Sequence, residues 1–169
     1  MSVAATNRKY FVDVFMDWVA SVRTVYDAIN ILQPYSYYGS ITEIVNHLTI
    51  KDQGQVAKYP FICLVDDFNE KHDSVLDWYI VNPTIYIFSE TLVDYDPQQR
   101  YDNVIKPILF VLMQHLLTAI ENSDSYSEAN EKIEWEQKIY KGTVAGQSIE
   151  NTVDCIELKF SNLLIKNNC

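Results

Sequence analysis

Across residues 11–31 the apolar side chains of Phe11, Val14, Phe15, Trp18, Val22, Val25 and Ile29 recur at spacings of three and four, opposite Asp13, Asp17, Arg23 and Asp27. That period predicts an amphipathic helix, free to pack on its own domain or on a neighbouring subunit. Pro34 stops it, and residues 35–39 read as a short extended segment ending in a glycine turn. Ser40 followed three residues on by Glu43 has the form of a capping box and opens a short helix through Ile44, Val45 and Leu48. The polar stretch 51–58, with Gly54 inside it, reads as a loop.

Residues 59–65 are a compact apolar run with Pro60 at its start and Asp66 and Asp67 at its end, the pattern of a core strand. A charged loop with Glu70, Lys71, His72 and Asp73 follows. Strand character resumes over residues 78–91, where Ile85, Tyr86, Ile87 and Phe88 are apolar on both sides of the pleat, so this strand should be covered on both faces. Asn82 and Pro83 should bend it. Asp96, Pro97 and Gln99 combine an N-cap acid, a first-turn proline and a capping-box glutamine, which predicts a long helix to about Asn122. Its stripe is Tyr101, Ile105, Ile108, Leu112, Leu116 and Ile120, and Pro107 should kink it. After a polar loop, Ile133, Trp135, Gln137 and Ile139 alternate with Glu134, Glu136, Lys138 and Tyr140 as an amphipathic strand. A second loop holds Gly142 and Gly146, and the alternation around Ile156, Leu158 and Phe160 makes the last strand. This order predicts an α+β domain: a mostly antiparallel sheet of four or more strands packed by a long kinked helix, with an N-terminal amphipathic helix. Residues 1–33 belong to that helix, 34–165 to the single core, and 166–169 to a short tail.

At 169 residues the chain supports one domain and not two. The 13 basic and 23 acidic residues leave a net charge of −10, which repels nucleic-acid phosphates and argues against specific duplex binding. The acids are concentrated: nine against two bases over residues 66–102, and eight against three over 124–157, enough for a negative face. A merely solvated acidic surface explains the same counts equally well. Cys63 and Cys155 lie in apolar runs and read as small buried hydrophobes of a reduced compartment, while Cys169 ends the chain. The longest apolar run stops at Gln114 and His115, so no segment is expected to enter a membrane.

Chemistry is sparse in this sequence. Four glycines leave no room for a phosphate-cradling loop. Glu43 and His47 at i, i+4, with His115 elsewhere, are better read as helix neighbours than as metal ligands. His72 in its charged loop is better read as a solvated side chain than as a catalytic one. Glu157, Leu158 and Lys159 have the E-x-K form of some metal-dependent nucleases, and Asp66 or Asp67 could supply a second carboxylate. Any amphipathic strand produces that triplet by chance, and the acidity disfavours holding DNA. No catalytic, cofactor-binding or metal residue is therefore assigned, and no cofactor is expected.

Tyr59 to Leu64 with the polar turn after it, the run from Pro83 to Phe88, the helix start at Asp96 with Arg100, Tyr101 and Pro107 to Leu109, and the ending Val153 to Leu158 together resemble a family of small phage proteins. These are neck or tail-completion (tail-terminator-like) proteins of phages that infect Bacteroidetes, including crAss-like ones. The resemblance covers about residues 35–165 and implies a structural virion protein, six or twelve copies of which form a ring between portal and tail, joining head to tail and leaving a channel for DNA. It implies no catalytic residues, with the portal or adjacent neck and tail proteins as partners. The N-terminal helix is longer than a minimal terminator needs. On this reading Asp66, Asp67, Glu70 and Asp73 are candidates for a lumen that DNA passes without binding, and Trp78, Tyr79, Tyr86, Trp135 and Tyr140 for the subunit interface; at least half of these aromatics have an ordinary core role as the competing explanation. A monomeric adaptor for another virion or host protein, and the nuclease, are the alternatives.

Overall fold

The helical period at the start of the chain is realised as α1, Phe11–Ala28. Phe11, Val14, Phe15, Trp18 and Val22 are buried as expected, whereas Val25 and Ile29 are exposed and Val19 and Tyr26 take the buried positions. Glu70 supplies the missing cap, its Oε1 accepting from the Phe11 N–H at 3.0 Å across 59 residues of sequence. The computed structural model describes residues 10–29, 33–49, 59–72, 78–126, 133–148 and 153–166. The loop expected over 51–58, and the positions of Asp73 and Cys169, lie outside these residues.

The capping box at Ser40 forms: Glu43 Oε2 accepts from the Ser40 N–H at 2.8 Å, and Ser40 Oγ accepts from the Glu43 N–H at 3.3 Å, opening α2, Ile41–Thr49. Gly39 permits this turn, since a Cβ there would come within 2.9 Å of Glu43 Oε2 and of the Tyr37 ring. Ahead of α2 lies β1, Tyr35–Gly39, and after it β2, Phe61–Val65, buried at every position. The charged stretch expected to be a loop is instead strand β3, Glu70–His72, which pairs with β4, Trp78–Val81. Asn82 and Pro83 separate β4 from β5, Thr84–Glu90, as the proline required. The capping box at Asp96 is complete, and the long helix α3, Pro97–Glu121, follows. Over Tyr101–Leu109 its turns are π-helical, and Pro107 sits in this wider segment, where its missing N–H and its ring are accommodated.

The remaining elements are β6, Glu134–Lys141; the hairpin β7, Thr143–Val144 and β8, Gln147–Ser148; β9, Val153–Ser161; and β10, Leu163–Lys166. The hairpin and β10 had no clear alternation to announce them, and Lys166, expected in a tail, belongs to β10. Five strands form one sheet in the order β1-β2-β5-β9-β6, antiparallel except for β1 with β2; β10-β4-β3 form a second, smaller sheet. The molecule is thus α+β.

Each face of the large sheet carries its own core. On one side Ile62, Leu64, Ile85, Ile87, Ile156 and Leu158 pack against α1 and α3. Although α3 is long and apolar enough by composition to cross a membrane, Ile105, Leu109, Leu112, Leu116 and Ile120 bury its stripe here. On the other side Phe61, Cys63, Phe88 and Cys155 meet α2, which covers only the β1–β2 half. β6 is left with its first six positions exposed, and the candidate site lies where it meets the buried β9.

Candidate functional site

Along β9 the pleat sends Ile156 and Leu158 to the helix side and Glu157 to the other, where it is 4% exposed. A buried carboxylate is stable only with partners. Tyr140 on β6 donates its hydroxyl to Glu157 Oε2 at 2.7 Å, Lys159 Nζ lies 3.0 Å from Oε1, and the Tyr86 hydroxyl on β5 also donates. Burial by itself works against the charge on Glu157, but the bonds from Tyr140, Lys159 and Tyr86 and the Lys159 ammonium outweigh it, so the carboxyl sits below its ordinary range.

A cleft of about 300 Å³ opens over this group, lined also by Asp67, Thr84, Val65 and the tip of the β7–β8 hairpin. Ala145 and Gly146 at that tip have φ of 46° and 79°, the left-handed turn that a tight hairpin needs. Chemically the cleft is a saturated carboxylate hub: Glu157 is held ionised and has no proton to give at neutral pH. The thiols beneath are inert as well, since burial foremost, then the charges of Glu157 and Asp154, push Cys155 up to about 12, and burial pushes Cys63 well up.

No family model matches this sequence, and no curated protein does.

Of the acids expected to face a lumen, Asp66 and Asp67 are exposed beyond β2. Glu70 is tied to the N-terminus of α1 and to His72 Nε2 at 2.8 Å, so its place is structural. Among the expected interface aromatics, Tyr79 and Tyr86 are 0% and 2% exposed and belong to the core, which corrects their assignment to a subunit contact. Trp78 is half-buried on β4, Tyr140 is half-buried and bound to Glu157, and Trp135 is exposed on β6. The imagined Glu43, His47 and His115 site does not assemble: Glu43 is used in the capping box, His47 stacks between Tyr37 and Phe61, and His115 meets the Tyr26 ring edge-on. No group of three metal-ligating side chains occurs among the described residues. Sequence reasoning missed Ile139 as a surface residue, because alternation marks which positions share a face and not whether anything covers it.

The hub has a pH signature. Tyr140 is raised to about 12, first by its hydrogen bond to Glu157 and then by burial, Cys155 is also raised to about 12, and Tyr86 is raised further, mainly by burial. Groups raised on folding contribute stability that is fully present below their ordinary values of 9.0 and 10.0 and is lost as pH rises through the folded ones. Denaturation midpoints should therefore hold steady up to about pH 9 and fall from there to pH 12, with a shallower fall in Tyr140→Phe. An unchanged midpoint at pH 11 would mean that these groups titrate freely in the folded chain.

Proposed function

We propose that this protein is a structural, self-associating subunit of a tailed-phage virion, forming a ring in the neck between portal and tail. One observation carries the reading: the large sheet ends in β1 on one flank and β6 on the other, and no described strand lies beyond either. Both flanks expose aromatic or aliphatic side chains on the helix side of the sheet, Tyr38 on β1 and Trp135 and Ile139 on β6. Open, partly apolar edges are ordinarily avoided in monomers and used in assemblies.

Strand direction supports a closed ring. With β1 parallel to β2 and each later neighbour antiparallel, β6 runs opposite to β1. Copies related by a rotation that keeps strand direction would meet β6 against β1 as an antiparallel pair, a head-to-tail contact that repeats until it closes. A net charge of −10, with Asp66 and Asp67 exposed, suits a wall that DNA slides past.

The test is light-scattering mass after size exclusion, for the protein alone and mixed with the portal and adjacent neck proteins of the same genome. A closed ring, free or on the portal, is expected. A chain that stays monomeric and ignores every neck protein would overturn the reading. The meeting of Asp67, Glu157 and Lys159 at one cleft favours a second reading, Mg²⁺-dependent phosphodiester hydrolysis. It requires Mg²⁺-dependent nicking of plasmid DNA that disappears in Glu157→Gln.

A further inference from the structure

Strand β6 reads Glu-Trp-Glu-Gln-Lys-Ile-Tyr-Lys, with its two acids in the first half and its two bases in the second. The outer edge of this eight-residue strand has no described neighbour, so its outward N–H and C=O groups are paired by no described strand. From these facts we infer that two copies of this chain pair β6 to β6 about a two-fold axis through Gln137, forming a closed dimer.

A two-fold axis joining antiparallel edge strands stands perpendicular to the sheet and places some residue opposite its own copy. Centring the contact on Glu136 sets carboxylate against carboxylate, and centring it on Lys138 sets ammonium against ammonium. On Gln137 neither occurs. That register puts Glu136 opposite Lys138 twice on one face and Trp135 opposite Ile139 twice on the other, with the two Gln137 side chains, able to donate and accept, in the middle. The faces agree with the fold: Trp135, Gln137 and Ile139 stand beside Phe160, Leu158 and Ile156 of β9 on the helix side, while Glu136 and Lys138 stand beside Lys159 and Glu157 on the other. Trp135 and Ile139, 36% and 41% exposed in one chain, would cover each other.

A second copy is thus the occupant that β6 itself complements, in charge on one face and in apolar contact on the other. The inference rests on the self-association reading without requiring a neck: a two-fold contact does not propagate, and it uses the same edge as the head-to-tail ring contact. The dimer is then the form that shields β6 until a ring is built.

Charge reversal tests it on the full chain without any neck protein. Alone, the wild type should have the mass of a dimer, with the ring forming only on the portal; a free ring would overturn the dimer. Glu136→Lys alone and Lys138→Glu alone should each weaken dimerisation about tenfold or more, since each sets like charges together twice. The double swap E136K/K138E restores opposite charges across the axis, though it sets like charges against Lys159 and Glu157 within each chain, and should dimerise more tightly than either single variant. With Cys169→Ser in the background, Gln137→Cys should form an intermolecular disulfide, since residues facing their own copy lie about 4.5–5.5 Å apart at Cα; Lys138→Cys should not. Wild-type self-association unmoved by either reversal, or no Gln137→Cys cross-link, would overturn the β6 dimer. If higher oligomers persisted in those variants the ring reading would stand, whereas a monomer both alone and with every neck protein would remove both.

Discussion

Arg100→Ala is expected to destabilise the fold by about 3–5 kcal/mol, and Asp154→Ala by less. Asp154 is fully buried on β9, and Arg100, in the first turn of α3, reaches it with Nε at 3.0 Å and with Nη2, both to Oδ1. The fork joins the start of the long helix to a central strand. Removing Arg100 leaves the fully buried Asp154 without its counter-charge, so the loss far exceeds that of a surface ion pair, whereas removing Asp154 leaves a guanidinium that is 16% exposed and still meets water. Replacing both, as Arg100→Met with Asp154→Leu, should recover most of it, because the desolvation of two charges disappears together with their attraction. Denaturant midpoints at constant slope measure all three. A loss under about 1 kcal/mol in Arg100→Ala would show that Asp154 is solvated in the folded chain.

Glu157→Ala should remove about 3 kcal/mol, and its effect should be concentrated on β6. Tyr86, buried at 2% exposure, would be left with a hydroxyl that no longer has its acceptor, and this desolvated donor is the main part of the loss. Tyr140 and Lys159 are more exposed and can turn to water, but Tyr140 is then no longer an anchor holding the edge strand to β9. Amide exchange over residues 134–141 should accelerate more than over β5. The acid side follows with the opposite sign to the alkaline loss above: Glu157 is depressed on folding, so its contribution is complete above the ordinary carboxyl value of 4.5 and is lost as pH falls through the lower folded one. The gap between wild type and Glu157→Ala should therefore narrow on acidification by the part that depends on the charge, and the part owed to the Tyr86 hydroxyl should remain, since a protonated carboxyl still accepts. A gap that is unchanged at pH 2 would place the whole effect in hydrogen bonding and packing instead of in the charge.

The elements legible in the sequence are those in which one short stretch carries its own reason. The Ser40–Glu43 and Asp96–Gln99 boxes are closed by side chains three residues apart, and both helices begin where those residues stand. Strands β2 and β5 have enough consecutive apolar residues to be buried on two faces, and β9 carries the alternation of Ile156, Leu158 and Phe160. β3 and the β7–β8 hairpin were not legible: Glu-Lys-His carries little strand propensity, Thr-Val is too short a run to show a period, and both are held by the strands they pair with. Nor was the cap of α1, whose acceptor lies 59 residues away.

By itself the sequence determined that the chain is acidic, that it is α+β, where its two capped helices start, and which residues alternate on each strand. Only the tertiary structure decided which alternating faces are covered. The difference is plainest in the aromatics: Tyr79 and Tyr86 are core and Trp135 is surface, although all three lie on strands. The physical reason is that periodicity is local, whereas burial depends on a neighbour, and β6 lies at the sheet edge because β9 pairs with it on one side and no described strand on the other. Placing Glu157 between Tyr86 and Tyr140, and leaving the split charges of β6 on an open edge, are consequences of that strand order.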